Sequence, residues 1–238
     1  FGSALVAADG IWSKTRSNIV NDGDPIISGH IAYRAVLPIS EVPEFSQDND
    51  VVLWAGPKFH LVHYKLRRGE LFNIVAVFHS DRYEEGWDAF GDPEELQLRF
   101  KNATTEVQSL LGKIDSWKMW VLCDREPAKN WSKGRVTLLG DAAHPMLQYL
   151  AAGAGMAIED AVVLADCVNK NQSNLEQSFE NYQQSRYLRT GRVQATARIY
   201  GQIYHASDVV AELRTKMFEG KDPQNYDGIS WLYDGIEV

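Results

Sequence analysis

The sequence predicts an α/β protein with α+β character: a partial Rossmann-like layer, an antiparallel sheet and a block of C-terminal helices. Three observations predict it. An apolar run, Arg135-Val136-Thr137-Leu138-Leu139, ends in Gly140-Asp141, passes through a loop with Pro145 and meets a Gly153-Ala154-Gly155 turn that opens a helix. From Gly29 to about Trp120 the chain is built of short strand-like runs punctuated by Pro38, Pro43, Gly56-Pro57 and Arg68-Gly69. After Met156 the apolar spacing becomes helical.

The elements follow in order. Residues 4–8 form an apolar strand that needs neighbours on both sides. Residues 31–37, 51–55, 59–66, 71–79 and 117–122 read as strands, and the third and fourth flank Arg67-Arg68-Gly69-Glu70 as a hairpin. Asp92-Pro93-Glu94-Glu95 opens one helix reaching about Leu111, with Asp at the cap and Pro in the first turn. Residues 156–170 and 175–217 are helices, the second broken near Gly201 or Ser207. The predicted organisation is 1–28 and 124–238 as one layered domain and 29–123 as a sheet domain between them.

A chain of 238 residues, 45% hydrophobic, can bury a sizeable core. A net charge of −8 argues against a generic nucleic-acid binder and is neutral about small substrates. Cys123 and Cys167 have neither CxxC nor metal spacing and read as buried free thiols in a reducing, cytoplasmic compartment. No apolar run approaches the roughly 20 residues of a membrane span, so no membrane partner is expected.

The chemistry of the 140–160 stretch is narrow. An Asp at the carboxyl end of a strand accepts hydrogen bonds from a ligand hydroxyl, and a helix N-terminus near Gly155 attracts an anionic group. Gly153 and Gly155 let backbone approach that ligand. A ligand-free, glycine-eased connection explains the same pattern. On the strand at 59–66, His60, Val62 and Tyr64 share one face while Leu61, His63 and Lys65 share the other. A His there suits acceptance of a phenolic proton near neutral pH; a hydrogen-bonded sheet histidine beside a core tyrosine is the competing reading. His144 before Pro145 reads as a loop-fixing residue. His30 and His63, and His79 with His205, show no metal-ligand spacing, so no metal is predicted.

Gly140-Asp141-Ala142-Ala143-His144-Pro145, followed by Gly153-Ala154-Gly155 and Ala157-Ile158-Glu159-Asp160-Ala161, resembles the Gly-Asp motif of single-component FAD-dependent aromatic hydroxylases. Ala8-Asp9-Gly10-Ile11-Trp12-Ser13-Lys14-Thr15-Arg16 resembles the Asp-Gly motif of the same family. The resemblance implies FAD as cofactor and NAD(P)H as co-substrate. It implies that Asp141 binds the ribityl chain, that Pro145, Gly153, Ala154, Gly155 and Met156 line the flavin, and that Asp9 and Arg16 serve FAD and NAD(P)H binding. Arg34 is held as a further flavin or nicotinamide contact. His60-Leu61-Val62-His63-Tyr64 and Pro145-Met146-Leu147-Gln148 look most like the 3-hydroxybenzoate 6-hydroxylase and salicylate hydroxylase subgroup. By that resemblance His60, Tyr64 and Gln148 surround a small aromatic acid, His60 assisting deprotonation and the other two orienting the ring. The implied reaction runs from FAD reduction through O2 addition and a flavin C4a-hydroperoxide to attack by a phenolate carbon. A related flavin oxidase or halogenase is the alternative, and a homodimer stays open.

Two features depart from the pattern. Ala152-Gly153 stands where many relatives have Gln-Gly, and Lys65 where Pro is frequent. No Gly-x-Gly-x-x-Gly unit precedes Asp9. The chain is therefore read as the C-terminal part of a longer enzyme, a piece expected to be inactive alone and to bind FAD weakly or not at all.

Overall fold

The computed structural model describes residues 2–82, 89–222 and 224–236. Its strands are β1 (Leu5–Ala7), β2 (Ile26–Pro38), β3 (Val52–Gly56), β4 (Phe59–Leu66), β5 (Leu71–His79), β6 (Lys118–Asp124), β7 (Ser132–Lys133) and β8 (Val136–Leu138). The helices are α1 (Lys14–Ile19), α2 (Pro93–Arg99), α3 (Thr105–Leu111), α4 (Gly153–Lys170), α5 (Leu175–Tyr204), α6 (Asp208–Phe218) and α7 (Ser230–Tyr233). The chain divides into two compact units, one of Phe1–Ile26, Cys123–Gly201 and Gly220–Val238, the other of Ile27–Leu122 with Gln202–Glu219.

In the first unit β1 runs parallel to β8, with Leu5 opposite Val136 and Ala7 opposite Leu138, and β7 closes a three-stranded sheet in the order β1-β8-β7. Its core gathers Trp131, Leu138, Ala142, Ala143, Val163, Phe179 and Tyr182. Gly201 lies inside α5 because a side chain there has no room: an added Cβ would sit 2.6 Å from the Tyr149 ring. Cys123 and Cys167 are free thiols, half-buried rather than fully buried.

The second unit is a five-stranded sheet in the order β3-β4-β5-β2-β6. The hairpin β4–β5 forms as predicted, its turn placing Arg67, Arg68 and Gly69 at positive φ. Strand alternation sorts side chains cleanly. One face carries Ile31, Tyr33, Leu61, Phe72, Ile74 and Phe78, buried against Leu96 and Phe100 of the α2 region and Val107 and Leu110 of α3. Burying each such side chain contributes about 1.5–3 kcal/mol. His63 belongs to this face, stacked 5.0 Å from Phe72.

The single helix expected over 92–111 is two. Asp92 caps α2 and Pro93 enters it as predicted, but the chain turns at 100–104 before Thr104 starts α3. Gln108 Nε2 donates to the Lys101 and Ala103 carbonyls, satisfying a corner that a continuous helix would not have. The C-terminal helical stretch breaks between Tyr204 and Asp208, at Ser207 and not at Gly201. Arg214 Nη1 donates to the last carbonyls of α5, Ile203 and Tyr204, at 3.2 Å each. Among the described residues no helix is long and apolar enough to cross a membrane.

Candidate functional site

The Asp-Gly and Gly-Asp segments are tied together inside the first unit. Gly10 turns the chain with φ +78°, and Ser13 then caps α1 by accepting from Arg16 N at 2.9 Å while donating to Asp9 Oδ1 at 2.6 Å. Burial works to raise the Asp9 pKa, and the hydrogen bonds from Ser13, its own backbone and Thr15 outweigh it, leaving the carboxyl below its ordinary value. Arg16 has no exposed surface; its guanidinium grips Asp22 at 2.6 Å and donates to the Ala142 and Ala143 carbonyls. Its charge is thus engaged within the protein, where it fastens one motif to the other.

The Gly-Asp loop has its own anchor. Gly140 leaves β8 with φ +61°, and an added Cβ would meet the Ala157 methyl at 3.2 Å. The buried Asp160 of α4 accepts from Gly140 N at 3.0 Å, pairs with His144 Nε2 at 2.5 Å and takes Arg186 Nε at 2.8 Å. Burial pushes the Asp160 pKa up, and His144 and Arg186 more than reverse it, so the carboxyl lies below its ordinary value. His144 therefore fixes the loop, as its place before Pro145 suggests. Pro145 is buried and its carbonyl accepts from Gln194 Nε2 at 2.9 Å.

Around this anchor Asp141 is exposed and α4 opens without a side-chain cap, its first turn presenting the exposed Ala154 and Gly155. An added Cβ at Gly155 would meet nothing within 4 Å. The amides of that first turn have no intrahelical acceptor and carry the positive end of the helix dipole. Met156 differs: its amide donates to Ala152 O at 2.9 Å and its side chain is buried with Val193 and Leu232. Gln148 is exposed in a short turn of the same unit, Gln148–Leu150.

The second unit brings His60 and Tyr64 onto the sheet face opposite the apolar core. Register adds neighbours that the linear sequence does not reveal: His60 lies opposite Val77, Tyr64 opposite Asn73, and Arg34 opposite Val75. Arg34 Nε donates to Asn73 Oδ1 at 2.8 Å, and its Nη2 reaches Tyr64 Oη at 3.5 Å. Arg34 is exposed, Tyr64 half-buried and Asn73 fully buried, with Asn73 Nδ2 lacking a partner within the protein. A cation, an orphaned donor and a phenol hydroxyl thus share one patch.

His60 stands among three other histidines. Its Nδ1 is 2.7 Å from His205 Nε2; His205 Nδ1 is 3.1 Å from His79 Nε2; His79 Nε2 is 2.9 Å from His30 Nε2. Burial first, then mutual repulsion, depresses their basicity: His60 to about 3, His205 to about 2 and His30 to about 4. His79 is lowered by burial and by Lys58 and Arg99. All four are neutral at pH 7. The spacing of these residues gives no hint of a cluster; only strand register and the α5–α6 break assemble it.

Comparison with known proteins places this architecture. The chain is 43% identical over 233 residues to a 3-hydroxybenzoate 6-hydroxylase of Polaromonas naphthalenivorans (strain CJ2), matching 98% of this chain and 58% of that protein. It is 34% identical to 3-amino-4-hydroxybenzoate 2-monooxygenase PtnB3 of Streptomyces platensis, over 98% of this chain and 59% of the relative. A salicylate hydroxylase substrate complex superposes with a TM-score of 0.78 at 28% identity, covering 90% of this chain and 59% of that one. Klebsiella pneumoniae HpxO, complexed with FAD and uric acid, shares the fold, with a TM-score of 0.83 at 21% identity over 98% of this chain and 60% of its own. The chain therefore spans a little under three fifths of the length of the two curated relatives described. With the FAD binding domain model matching residues 4–197, the chain belongs to that family of flavin-binding proteins.

Proposed function

We propose that this chain is the larger part of a flavin-dependent monooxygenase that hydroxylates a hydroxybenzoate-class phenol with NAD(P)H and O2. One observation carries the reading: the sheet face that holds His60 and Tyr64 also holds Arg34 and the unpartnered Asn73 Nδ2. Those groups match a ring bearing both a phenol and a carboxylate. Arg34 and Asn73 are donors suited to a carboxylate, and Tyr64 orients the ring by its hydroxyl. With its Nδ1–H donated to His205 Nε2, neutral His60 keeps the lone pair of Nε2 for the phenolic proton. A proton stored on it alone is costly, but a phenolate formed beside it stabilises the imidazolium, so transfer is coupled to generation of the anion.

The residues of the first unit fit FAD. The uncapped start of α4, with open space at Gly155, suits an electron-rich ring edge. The exposed Asp141 suits a ribityl hydroxyl, and Asp9, ionised at neutral pH, suits another hydroxyl donor. Arg16, Pro145 and Met156 serve that site by holding its loop and helix. Gln148, in the same unit, is assigned to substrate orientation on the resemblance alone. When bound, FAD takes reducing equivalents from NAD(P)H and supplies the oxygen-activating chemistry.

The test is reconstitution of the full-length protein with FAD and a screen of hydroxybenzoates for NAD(P)H consumption with product identification. His60→Ala is expected to lower hydroxylation about 10²-fold, the scale of a lost general base. Unchanged rate and product yield would refute the role of His60, and peroxide as the sole product with every phenol would refute the hydroxylase reading.

A further inference from the structure

Three of the clustered histidines come from distant parts of the chain yet aim ring nitrogens at one point. His30 of β2 and His79 of β5 are register partners on one face of the sheet. His205 follows α5 and is held over them by backbone: Lys58 N donates to His205 O and Lys58 O accepts from His79 N, both at 3.0 Å. One ring nitrogen from each of His30, His79 and His205 lies within 4.8 Å of those of the other two, and His79 Nε2 is 2.9 Å from His30 Nε2 and 3.1 Å from His205 Nδ1.

Hydrogen bonding explains this arrangement poorly. His79 Nε2 is the shared atom of two contacts, at 2.9 Å to His30 and 3.1 Å to His205. An imidazole nitrogen has either one N–H or one lone pair, so it serves one linear hydrogen bond well and not two. A proton wire fails at the same atom, since a relaying imidazole must receive on one nitrogen and release from the other. A cation between the rings resolves the competition, because it accepts a lone pair from each.

The geometry points to a site for a divalent transition-metal ion of the zinc class, ligated by His30 Nε2, His79 Nε2 and His205 Nδ1 with a further position open. Imidazole is a preferred ligand of such ions, and bonds of about 2.0–2.1 Å set tetrahedral donor separations near 3.4 Å. The two short contacts, 2.9 and 3.1 Å, open by a few tenths of an ångström to reach that separation, a movement available to the half-buried His30 and His79 rings. The outer tie is already in place. With Nδ1 on the ion, His205 keeps its proton on Nε2, 2.7 Å from His60 Nδ1, the arrangement that fixes the tautomer of a ligating histidine. With the ion bound, neutral His60 accepts that proton at Nδ1 and carries its own on Nε2, so an occupied site withdraws His60 from the proposed base role. Lys58 and Arg99 act on His79 electrostatically and oppose a dication, so binding is weaker than at a closed structural site.

The site is tested by titrating the chelator-treated, dialysed chain with Co2+ and following its visible ligand-field bands, then displacing Co2+ with Zn2+. One equivalent per chain, with bands bleached by Zn2+, is expected. His79→Ala and, separately, His30→Ala should each lose more than the roughly 10- to 100-fold typical of an outer partner. His63→Gln, on the opposite sheet face, should leave the titration unchanged, and circular dichroism reports whether each variant is folded. Absence of stoichiometric binding by the parent chain, or full binding by folded His79→Ala and His30→Ala, would overturn the proposal. Because the readout is binding, it stands apart from whether His60 is a base.

Discussion

Asp160→Asn isolates the contact that holds the Gly-Asp loop against α4. The carboxylate has no exposed surface and makes one neutral hydrogen bond, from Gly140 N, and two charge-assisted ones, to His144 and Arg186. With its oxygen toward Gly140 N and His144, the amide turns Nδ2 toward the Arg186 Nε–H, donor against donor; it keeps the first bond, loses the charge behind the second and loses the third outright, the last two worth about 1.5–3 kcal/mol each. Arg186, itself 1% exposed, retains Glu159 at 2.7 Å, which limits the damage on its side. The expected loss is about 3–5 kcal/mol, the range for breaking a buried pair from one side. Urea unfolding followed by tryptophan emission reads it well, because the Trp131 ring lies 5.7 Å from His144. With a slope of about 3 kcal/mol/M, the midpoint should fall by roughly 1–1.7 M. A shift corresponding to less than about 1 kcal/mol would refute the claim that Asp160 anchors the loop.

Two further outcomes follow from the packing and from the histidines. Gly201→Ala brings a methyl to 2.6 Å from the buried Tyr149 ring; overpacking of about 1–3 kcal/mol exceeds the helix-propensity gain of about 1 kcal/mol, so thermal stability should fall, and a rise would contradict the packing. His30, His60, His79 and His205 all have folded pKa values below the unfolded 6.5, so the unfolded chain binds more protons as pH drops; their contribution is complete above pH 6.5 and declines below it. Urea midpoints measured between pH 8 and pH 5 should decrease toward acid, and a flat profile would show that the cluster is not neutral in the folded state.

What the sequence determined by itself is local. The Gly140-Asp141 stretch and Asp9-Gly10 announce strand ends and helix starts through glycine and capping chemistry, and the structure has β8, α4, β1 and α1 there. Two-residue alternation put His60 and Tyr64 on one face and His63 on the other, because a strand turns over at every residue. The half-exposure of the two cysteines and the corner at 100–104 are not written in local pattern, since both depend on what packs nearby. Only tertiary structure decided the partners. The Arg34–Asn73–Tyr64 patch exists because β2 and β4 both pair with β5 in one register, and the Arg16 guanidinium faces carbonyls more than a hundred residues away. The four histidines lie 19 to 175 residues apart in the chain. No periodicity links them, since their meeting depends on strand pairing and on where α5 ends, both properties of the folded chain as a whole.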